Sequence, residues 1–238
     1  METTATGKER FSALMDTQRK RVADMRAQGD FINYAALDKI IIGICGGDGI
    51  GPVITNEAER VLRYLLKDEV ESGKVEFKVI DGLTIENRAA AMKAIPDDVL
   101  SELKKCHVIL KGPTTTPRAG DEWPNIESAN VAMRKELDLF ANVRPVKVLE
   151  KGIDWTFFRE NTEGAYAVGS YGFEIEDGIS VDFTITTTDG TMRIAELAYD
   201  FARKNGKKRV SIVTKANIIK ATDGKFLKLC QSVGEKYP

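Results

Sequence analysis

The sequence predicts an α/β protein built around a parallel β-sheet. Strand candidates alternate with helix candidates along most of the chain, which is the arrangement of strands joined by crossover helices. The first strand candidate, residues 40–45, is a continuous apolar run, typical of a strand buried on both faces of a parallel sheet. With 238 residues, 42% of them hydrophobic, the chain has enough apolar material for one large domain or two small ones.

Each element of the first half rests on a local signal. Residues 8–29 are rich in good helix formers and end at a glycine suited to a helix C-terminus, so they predict a helical N-terminal extension. The glycines of residues 46–51 predict a turn, after which Pro52 is placed to open a helix. In chain order we predict a helix at 8–29, a strand at 40–45, a helix at 52–70, a strand at 75–80, a helix opened by 96–98 and a strand at 107–111.

The second half adds an antiparallel element to this alternation. Residues 166–188 are rich in Gly, Thr, Val, Phe and Tyr, which predicts a hairpin or arm that protrudes from the α/β body. Residues 142–145 must be extended because the residue before a proline avoids the helical region. The other predicted elements are a helix at 128–139, strands at 155–158 and 209–214, and helices at 189–205 and 222–237.

The charge balance and the length of the apolar runs exclude two classes of function. The 35 basic and 36 acidic residues leave a net charge of −1, so the chain lacks the basic surplus with which nucleic-acid binders neutralise phosphates. Its longest apolar strand falls far short of the roughly 20 residues of a membrane-spanning helix. Residues 1–38 resemble neither a signal peptide nor an acid-poor transit peptide. We therefore expect no nucleic-acid partner, no membrane association and a cytoplasmic location.

The cysteines and the single histidine predict structural roles. Cys45, Cys106 and Cys230 are odd in number, widely spaced and set in apolar runs, as free buried thiols are. His107 is the only histidine, which excludes a zinc site built on two imidazoles. Because His107 lies in a predicted buried strand, we do not expect it to act in catalysis.

The glycine-rich turn is a weak signal for nucleotide binding. Gly47, Gly49 and Gly51 have the spacing G-x-G-x-G instead of the dinucleotide fingerprint G-x-G-x-x-G, and no acidic residue is clearly placed about 20 positions later. No G-K-S/T sequence follows, which excludes a P-loop. A tight strand-to-helix turn is an equally good interpretation.

Three arginines point more clearly to a ligand. If Ser128 begins a helix, Asn130 and Arg134 lie one turn apart on one face, near a helix N-terminus that favours anions. Arg144 and Arg159 stand at the ends of two neighbouring extended segments and can converge on the same point. Since guanidinium groups bind carboxylates and phosphates bidentately, the group predicts a polycarboxylate or phosphorylated ligand. Taken singly, each arginine is more often a surface ion-pair partner.

Two further residues are candidates for proton transfer. Tyr166 follows the loop after Arg159, and Lys215 stands where a predicted strand ends, the usual place for ligand contacts in an open α/β sheet. A lysine and a tyrosine that face one cleft can carry protons if burial and neighbouring groups bring them towards neutral pH.

Taken together, six motifs in this order resemble the isocitrate/isopropylmalate dehydrogenase family of β-decarboxylating dehydrogenases. The resemblance covers about residues 39–238 and is carried by Gly47-Asp-Gly-Ile-Gly-Pro52, Lys111-Gly-Pro-Thr-Thr-Thr-Pro117, Ser128-x-Asn-Val-x-x-Arg134, Leu137-Asp-Leu-Phe-Ala-Asn-Val-Arg-Pro145, Arg159-Glu-Asn-Thr-Glu-Gly-x-Tyr166 and Val213-Thr-Lys-Ala-Asn217. It implies the fold of that family, with residues 1–38 as a helical extension, 39–127 as the N-terminal part of a large parallel-sheet domain, and 128–238 as a smaller α/β domain that includes the arm at about 166–188.

The resemblance also implies a reaction. The family oxidises a 2-hydroxy acid with NAD or NADP and releases carbon dioxide with the help of Mg2+ or Mn2+. Matched by motif, Tyr166 would protonate the enol and Lys215 would assist deprotonation of the substrate hydroxyl. Matched in the same way, Ser128, Asn130, Arg134, Arg144 and Arg159 would hold the substrate carboxylates, and Lys111, Thr115, Thr116 and Asn217 would contact the cofactor.

The substrate and the assembly follow from the same resemblance. Ser128 and Asn130 match the isocitrate type, in which these positions hydrogen-bond an extra carboxylate, so isocitrate is favoured and 2-oxoglutarate is the expected product. Homoisocitrate and isopropylmalate are the alternative substrates. Because family sites are built across a dimer, we expect a homodimer or higher homo-oligomer in which Lys215 serves the neighbouring subunit's cleft.

The chain departs from the family pattern after Lys215. Family members continue much further, through segments that hold the metal-binding aspartates and the adenosine half of the cofactor, and no sequence here matches those segments. We therefore expect an incomplete fold that is inactive alone, with the metal ligands outside it. The alternatives are a non-catalytic regulatory or binding subunit of the same family and an unstable fragment without a role of its own.

Overall fold

The computed structural model describes residues 4–28, 32–118, 120–168, 171–176 and 178–237. Within them the predicted α/β architecture with a parallel sheet is confirmed. Residues 31–137 form one compact unit, and residues 1–30 together with 138–238 form a second. No helix in the described part of the chain is long and apolar enough to cross a membrane.

Helices and strands alternate through the first unit, whereas the second unit combines two antiparallel hairpins with three long helices. The helices are α1 (Thr4–Ala27), α2 (Gly51–Leu65), α3 (Lys67–Glu71), α4 (Ile85–Ala91), α5 (Asp97–Leu103), α6 (Ala129–Glu136), α7 (Thr188–Lys204) and α8 (Thr222–Gly234). The strands are β1 (Ile40–Cys45), β2 (Val75–Val79), β3 (Val108–Lys111), β4 (Ala141–Val148), β5 (Ile153–Glu160), β6 (Phe173–Glu176) and β7 (Ile179–Val181). Short 3-10 helices occupy Tyr34–Ala36, Leu149–Lys151 and Ala165–Ala167.

The first unit is built on a parallel three-stranded sheet with the order β2-β1-β3. Its central strand is apolar throughout because both of its faces are covered. Ile42 and Ile44 pack with Phe77 on one face, whereas Cys45 packs in a larger cluster on the other. Cys45 lies opposite Lys111, so the carboxyl ends of β1 and β3 meet at one edge of the sheet.

Helix α6 belongs to the core of the first unit. Its Ala129 and Met133 are buried in the same cluster as Cys45 and Leu83. The four-residue spacing places both side chains on one face of the helix. The contacts therefore keep α6 with the parallel sheet, whereas the boundary predicted after residue 127 assigns it to the smaller domain.

The antiparallel hairpin of β4 and β5 packs against α7 in the second unit. Its pairing is continuous and places Ala141 opposite Glu160. Phe158 of β5 contacts Phe201 of α7, with ring centroids 5.1 Å apart. Because successive strand residues alternate between faces, the Phe158 face of the hairpin is the one that meets α7.

Helix α7 also contacts the other two long helices of the second unit. Helix α8 packs on it around the buried Cys230 and Val233. Helix α1 contacts both α7 and β6; its Leu14 is fully buried, and the ring of Phe11 lies 5.3 Å from that of Phe183. The predicted helix of the N-terminal extension is thus confirmed, and it is packed against the rest of its unit.

Three predicted elements differ in detail from the structure, and one helix was not predicted. The helix predicted at 52–70 is interrupted at Leu66 (φ −107°, ψ 26°), which lets Leu66 and Val70 pack against the sheet. Helix α4 has no predicted counterpart because its seven residues are too short for a helical period to stand out. The arm is confirmed as the β6–β7 hairpin, which is shorter than predicted. The segment predicted as a strand at 209–214 pairs with no strand in the described residues, and Ile212 packs against the α7–α8 cluster instead.

Candidate functional site

Asp48 joins the turn after β1 to the loop after β3, where the first predicted site residues lie. Its Oδ2 accepts a hydrogen bond from the backbone N–H of Thr115 at 2.7 Å. Its Oδ1 accepts one from the N–H of Ile85 at 2.7 Å, and its own N–H donates to the carbonyl of Pro113 at 2.8 Å. One carboxylate therefore fixes the loop, the turn and the start of α4.

Gly47 permits this close approach of turn and loop. Its φ is +73°, and a Cβ there would lie 2.0 Å from the carbonyl oxygen of Pro113. The helix that follows begins at Gly51 with proline next to it. The glycine motif is therefore a tight strand-to-helix turn, which was one of its two interpretations.

Arg88 also fixes the loop after β3, and this role of Arg88 was not predicted from the sequence. Its side chain is fully buried. It donates to three carbonyls, those of Ala94 at 2.8 Å, Thr115 at 2.7 Å and Glu127 at 3.0 Å. Burial lowers the pKa of the guanidinium, and the charge of Asp48 opposes that shift. Arg88 thus ties the β3 loop to the residue that precedes the N-cap of α6.

Lys111, predicted to contact the cofactor, lies in a positively charged part of this unit. Its ammonium donates to the carbonyl of Gly112 at 2.9 Å and to the hydroxyl of Thr114 at 3.1 Å. Burial lowers its pKa, and the charges of Arg88 and Arg134 act in the same direction, whereas those of Cys45 and Asp48 oppose the shift. Lys111 is therefore a partly buried cation with two further cations and the Asp48 carboxylate near it.

The predicted residues of α6 stand at its N-terminal end. Ser128 is the N-cap residue, but its side chain makes no capping bond; its hydroxyl lies 3.3 Å from that of Thr116 instead. Asn130 is exposed and Arg134 is half-buried one turn later, as the four-residue spacing predicts. Thr115 and Thr116 are exposed on the adjoining loop, where their hydroxyls can contact a ligand.

In the second unit, the hairpin brings Arg144 and Arg159 onto one face. Asn142 lies opposite Arg159, and Arg144 lies opposite Phe157, so the two arginines are diagonal neighbours. Arg144 Nε donates to the side-chain oxygen of Asn142 at 2.7 Å. Arg159 Nη2 donates to that of Asn161 at 3.3 Å. Both arginines are exposed, and this face lies opposite the one that meets α7.

Tyr166 lies next to this arginine pair. The guanidinium of Arg159 sits over its ring, 5.6 Å from the ring centroid. The tyrosine side chain is partly exposed, at 43% for the whole residue. The structure thus places Arg144, Arg159 and Tyr166 in one neighbourhood.

Lys215 and Asn217 occupy an exposed turn before α8. The backbone N–H of Lys215 donates to Asp223 Oδ2 at 2.7 Å, and its carbonyl accepts from the N–H of Ile218 and Ile219 at 3.0 Å. Both predicted side chains are exposed. Among the described residues, no contact joins Lys215 to Tyr166, so their cooperation stays a prediction.

The residues between Arg159 and Tyr166 form a buried polar segment whose structural role sequence reasoning missed. Asn161, Thr162 and Glu163 are at most 6% exposed. Burial raises the pKa of Glu160, although hydrogen bonds from Thr162 and Glu163 oppose the shift. A run of four polar residues in a motif gives no local sign that it will be buried, because the partners come from distant helices.

The histidine and the cysteines have structural roles, although His107 precedes β3 and is half-buried instead of lying within a buried strand. His107 Nδ1 accepts a hydrogen bond from the backbone N–H of Ile41 at 3.0 Å, which ties it to β1. All three cysteines are free thiols; Cys45 and Cys230 are buried and Cys106 is partly buried. Burial raises the pKa of Cys45 and of Cys230 to about 11, so both are thiols at neutral pH.

The described residues do not provide a metal site. They contain no group of three or more His, Cys, Asp or Glu side chains that could hold an ion. The described residues therefore do not fit the divalent metal that the family resemblance implies, and we assign none of them as a metal ligand.

The parallel sheet of one unit and the arginine-bearing hairpin of the other are found in a chain whose fold matches that of solved β-decarboxylating dehydrogenases. The isocitrate dehydrogenase of Methylococcus capsulatus superposes with a TM-score of 0.66 at 30% identity, over 84% of this chain and 58% of that one. A β-decarboxylating dehydrogenase of Thermococcus kodakarensis superposes with a TM-score of 0.63, also at 30% identity, over 83% of this chain and 55% of that one. The predicted fold class is thus confirmed.

The chain belongs to the isocitrate/isopropylmalate dehydrogenase family, which it matches over residues 41–238. It is 36% identical over 198 residues, 81% of this chain and 49% of the relative, to the mitochondrial regulatory subunit 2 of NAD-dependent isocitrate dehydrogenase from Arabidopsis thaliana. It is 32% identical over 216 residues, 88% of this chain and 57% of the relative, to the probable mitochondrial alpha subunit from Caenorhabditis elegans. The chloroplastic 3-isopropylmalate dehydrogenase of Solanum tuberosum is 35% identical, over 81% of this chain and 52% of the relative.

These relatives bear on two of the expectations from sequence. The chain spans about half the length of the curated relatives it matches. The predicted cytoplasmic location is wrong, because these relatives are mitochondrial or chloroplastic proteins. The composition of the first 38 residues was not sufficient ground for a location.

Proposed function

We propose that the chain is the N-terminal half of an NAD-dependent isocitrate dehydrogenase. The observation that carries this proposal is the placement of Arg144 and Arg159 on one exposed face with Tyr166 beside them. Two guanidinium groups within reach of one small molecule suit a ligand with several carboxylates, and a phenol beside them suits proton transfer to that ligand. The chain's membership of a dehydrogenase family supports the same conclusion.

The residues at the α6 end supply the second group of substrate contacts in this proposal. Arg134 and Lys111 are both cations of the first unit, and a guanidinium group suits a substrate carboxylate. Ser128 and Asn130 add short polar side chains at the helix N-terminus. In the family resemblance these positions distinguish isocitrate, with its extra carboxylate, from a substrate with an alkyl group.

The chemistry assigned to the chain is proton transfer and orientation. Lys215 assists removal of the proton from the substrate hydroxyl. A bound NAD would supply the hydride acceptor for the carbon that bears this hydroxyl. The resulting β-keto acid loses its carboxylate as carbon dioxide, and Tyr166 returns a proton to the enol carbon. The arginines hold the remaining carboxylates in place throughout. Lys111, Thr115, Thr116 and Asn217 are assigned to the nicotinamide end of the cofactor.

A regulatory subunit is the second candidate function. The similarity to regulatory subunits of NAD-dependent isocitrate dehydrogenase favours it, because such a relative is as similar to this chain as catalytic ones are. In this alternative the arginine face binds isocitrate or citrate without turnover. The presence of both Tyr166 and Lys215 argues for the catalytic role.

Complementation tests the proposed reaction. The chain is mixed with, or fused to, the C-terminal half of an NAD-dependent isocitrate dehydrogenase, and NADH formation is followed at 340 nm with isocitrate and Mg2+ or Mn2+. We expect isocitrate-dependent NADH formation that Lys215→Met abolishes, whereas Lys220→Met, at an exposed lysine five residues away, preserves it. Robust turnover by the Lys215→Met chain would refute the assignment.

Calorimetric titration separates the two functions. The chain is titrated with isocitrate and, separately, with citrate. Binding of either acid, followed by failure of every complementation to produce NADH, identifies the regulatory role. Binding together with Lys215-dependent turnover identifies the catalytic role.

A further inference from the structure

Helix α1 lies outside the range that matches the family, yet it makes a buried contact with a family motif. The match begins at residue 41, whereas α1 ends at Ala27. Arg21 of this helix donates from Nη1 to Glu163 Oε1 at 3.0 Å and from Nη2 to Thr162 Oγ1 at 2.8 Å. The side chain of Arg21 is 20% exposed and that of Glu163 is 5% exposed. This ion pair is therefore largely shielded from water.

Arg21 completes the hydrogen bonding of the Thr162 hydroxyl. That hydroxyl donates to Glu160 Oε1 at 2.6 Å and accepts from Arg21 and from Arg193 Nη2, the latter at 3.2 Å. A hydroxyl has one donor and two acceptor positions, so all three are filled. Loss of Arg21 would leave one acceptor position of this buried hydroxyl without a donor.

Arg21 also supplies the positive charge that Glu163 needs. The other partners of this carboxylate are the N–H of Thr187, at 2.9 Å, and its hydroxyl, which are both neutral. Arg21 makes the only ion pair of Glu163 within the described residues. A buried carboxylate that loses its cation is costly, because no water replaces the lost charge.

Hydrogen bonds from the backbone N–H groups also fix residues 161–164, the segment that Arg21 contacts. The N–H of Asn161 donates to the carbonyl of Phe140 at 2.8 Å, and that of Gly164 donates to the carbonyl of Ile185 at 2.8 Å. The N–H groups of Thr162 and Glu163 both donate to Glu160 Oε2. Four consecutive amides are thus hydrogen-bonded in a loop that begins after Arg159 and leads to Tyr166.

We propose that Arg21 is a positioning residue for substrate binding. It fixes residues 160–164 and, through them, the guanidinium of Arg159 and the phenol of Tyr166. The part of this inference that concerns substrate rests on the function proposed above. The part that concerns the segment is measurable without any substrate.

Hydrogen exchange detected by mass spectrometry tests the positioning directly. The full chain with Arg21→Met is compared with wild type and with Arg26→Gln, which removes an exposed ion pair from the same helix (Arg26 to Asp189, 3.0 Å). We expect amides 161–164 of Arg21→Met to exchange about tenfold faster or more, with no change in α8. Arg26→Gln leaves amides 161–164 as in wild type. Arg21→Lys, which keeps the charge without the guanidinium fork, gives an intermediate rate and serves if Arg21→Met does not fold.

Two results would overturn the proposal. The first is an exchange rate at residues 161–164 of Arg21→Met that equals the wild-type rate. If only Arg21→Lys folds, the same comparison is made with that variant. The second is equally faster exchange of these amides in the Arg21 variant and in Arg26→Gln. Detachment of α1 from the unit would then explain the faster exchange in both.

Calorimetry of the same proteins with isocitrate adds a readout that a purely structural role would not move. We expect a Kd about tenfold weaker for Arg21→Met, at a temperature where its far-ultraviolet circular dichroism matches wild type, and an unchanged Kd for Arg26→Gln. An unchanged Kd with faster exchange would overturn the link to substrate. If wild type binds no isocitrate, the proposed function fails, while the exchange rates still decide whether Arg21 fixes the segment.

Discussion

The Asp48 carboxylate receives the backbone N–H of Thr115 at 2.7 Å, which locks the turn after β1 to the loop after β3. The two segments are 67 residues apart in sequence and meet because their strands are neighbours in the parallel sheet. Lys111 ends β3, and Thr115 and Thr116 lie in the loop that follows; all three are assigned to the cofactor. The position of this loop depends on Asp48, which is assigned no contact with a ligand.

Substitution of Gly47 by alanine should destabilise the first unit strongly. A Cβ at this position meets the carbonyl oxygen of Pro113 at 2.0 Å, so the turn and the loop must separate. The control is Gly49→Ala, because Gly49 also has a positive φ, of +58°, but nothing lies within 4 Å of its Cβ. We expect a loss of roughly 1 kcal/mol for Gly49→Ala and at least twice that for Gly47→Ala, from urea unfolding. Equal losses would show that the approach of Pro113 does not limit this turn.

Replacement of Arg88 by methionine should cost about 3 kcal/mol of unfolding free energy. The substitution leaves the carbonyls of Ala94, Thr115 and Glu127 without their donor in a region of low solvent access. Fluorescence of Trp123 in a Trp155→Phe background reports on the first unit alone, since the chain has two tryptophans. Arg60→Met removes an exposed ion pair of α2 and should change the free energy by less than about 0.5 kcal/mol. An Arg88→Met protein as stable as wild type would show that water replaces the guanidinium at all three carbonyls.

The stability of the first unit should fall at alkaline pH because of Cys45. Burial raises the pKa of this thiol from 9.0 to about 11, so it ionises at lower pH in the unfolded chain than in the folded one. The stabilisation is therefore complete below about pH 9 and is lost as the pH rises towards 11. Between about pH 8.5 and 10.5 we expect wild type to lose roughly 2 kcal/mol more than Cys45→Ala in urea unfolding. Parallel losses in the two proteins would show that folding does not raise the pKa of this thiol.

Much of the fold follows from local sequence signals. The apolar run of β1, the glycine turn and the helices α7 and α8 each have a period, a cap or a breaker that is visible in the sequence. The residues 209–214 show where such signals fail, because a strand needs a neighbour and the pattern of a single segment does not say whether one exists. Helix α4 is missed for the opposite reason, since tertiary contacts sustain a helix too short to show a period.

The residues of the candidate site could be predicted from their types and spacing. The residues that hold them in place were harder to predict. Arg144 and Arg159 were identified because guanidinium groups at strand ends suggest an anion site, and their common face follows once the register of the hairpin is known. Arg88 and Arg21 could not be identified in this way. Their partners are carbonyls and carboxylates that lie far away in sequence, and an arginine within a helix is ordinarily a surface residue.

The most direct test of the account is a calorimetric titration of the Arg159→Gln chain with isocitrate. Arg159 lies on the same hairpin face as Arg144 and over the ring of Tyr166, so its loss should remove a charged contact to a substrate carboxylate. We predict binding by wild type and by the control Arg19→Gln, whose side chain is 80% exposed on α1, and a Kd at least about tenfold weaker for Arg159→Gln. Equal affinity of Arg159→Gln and wild type for isocitrate, or no binding by wild type, would contradict the account.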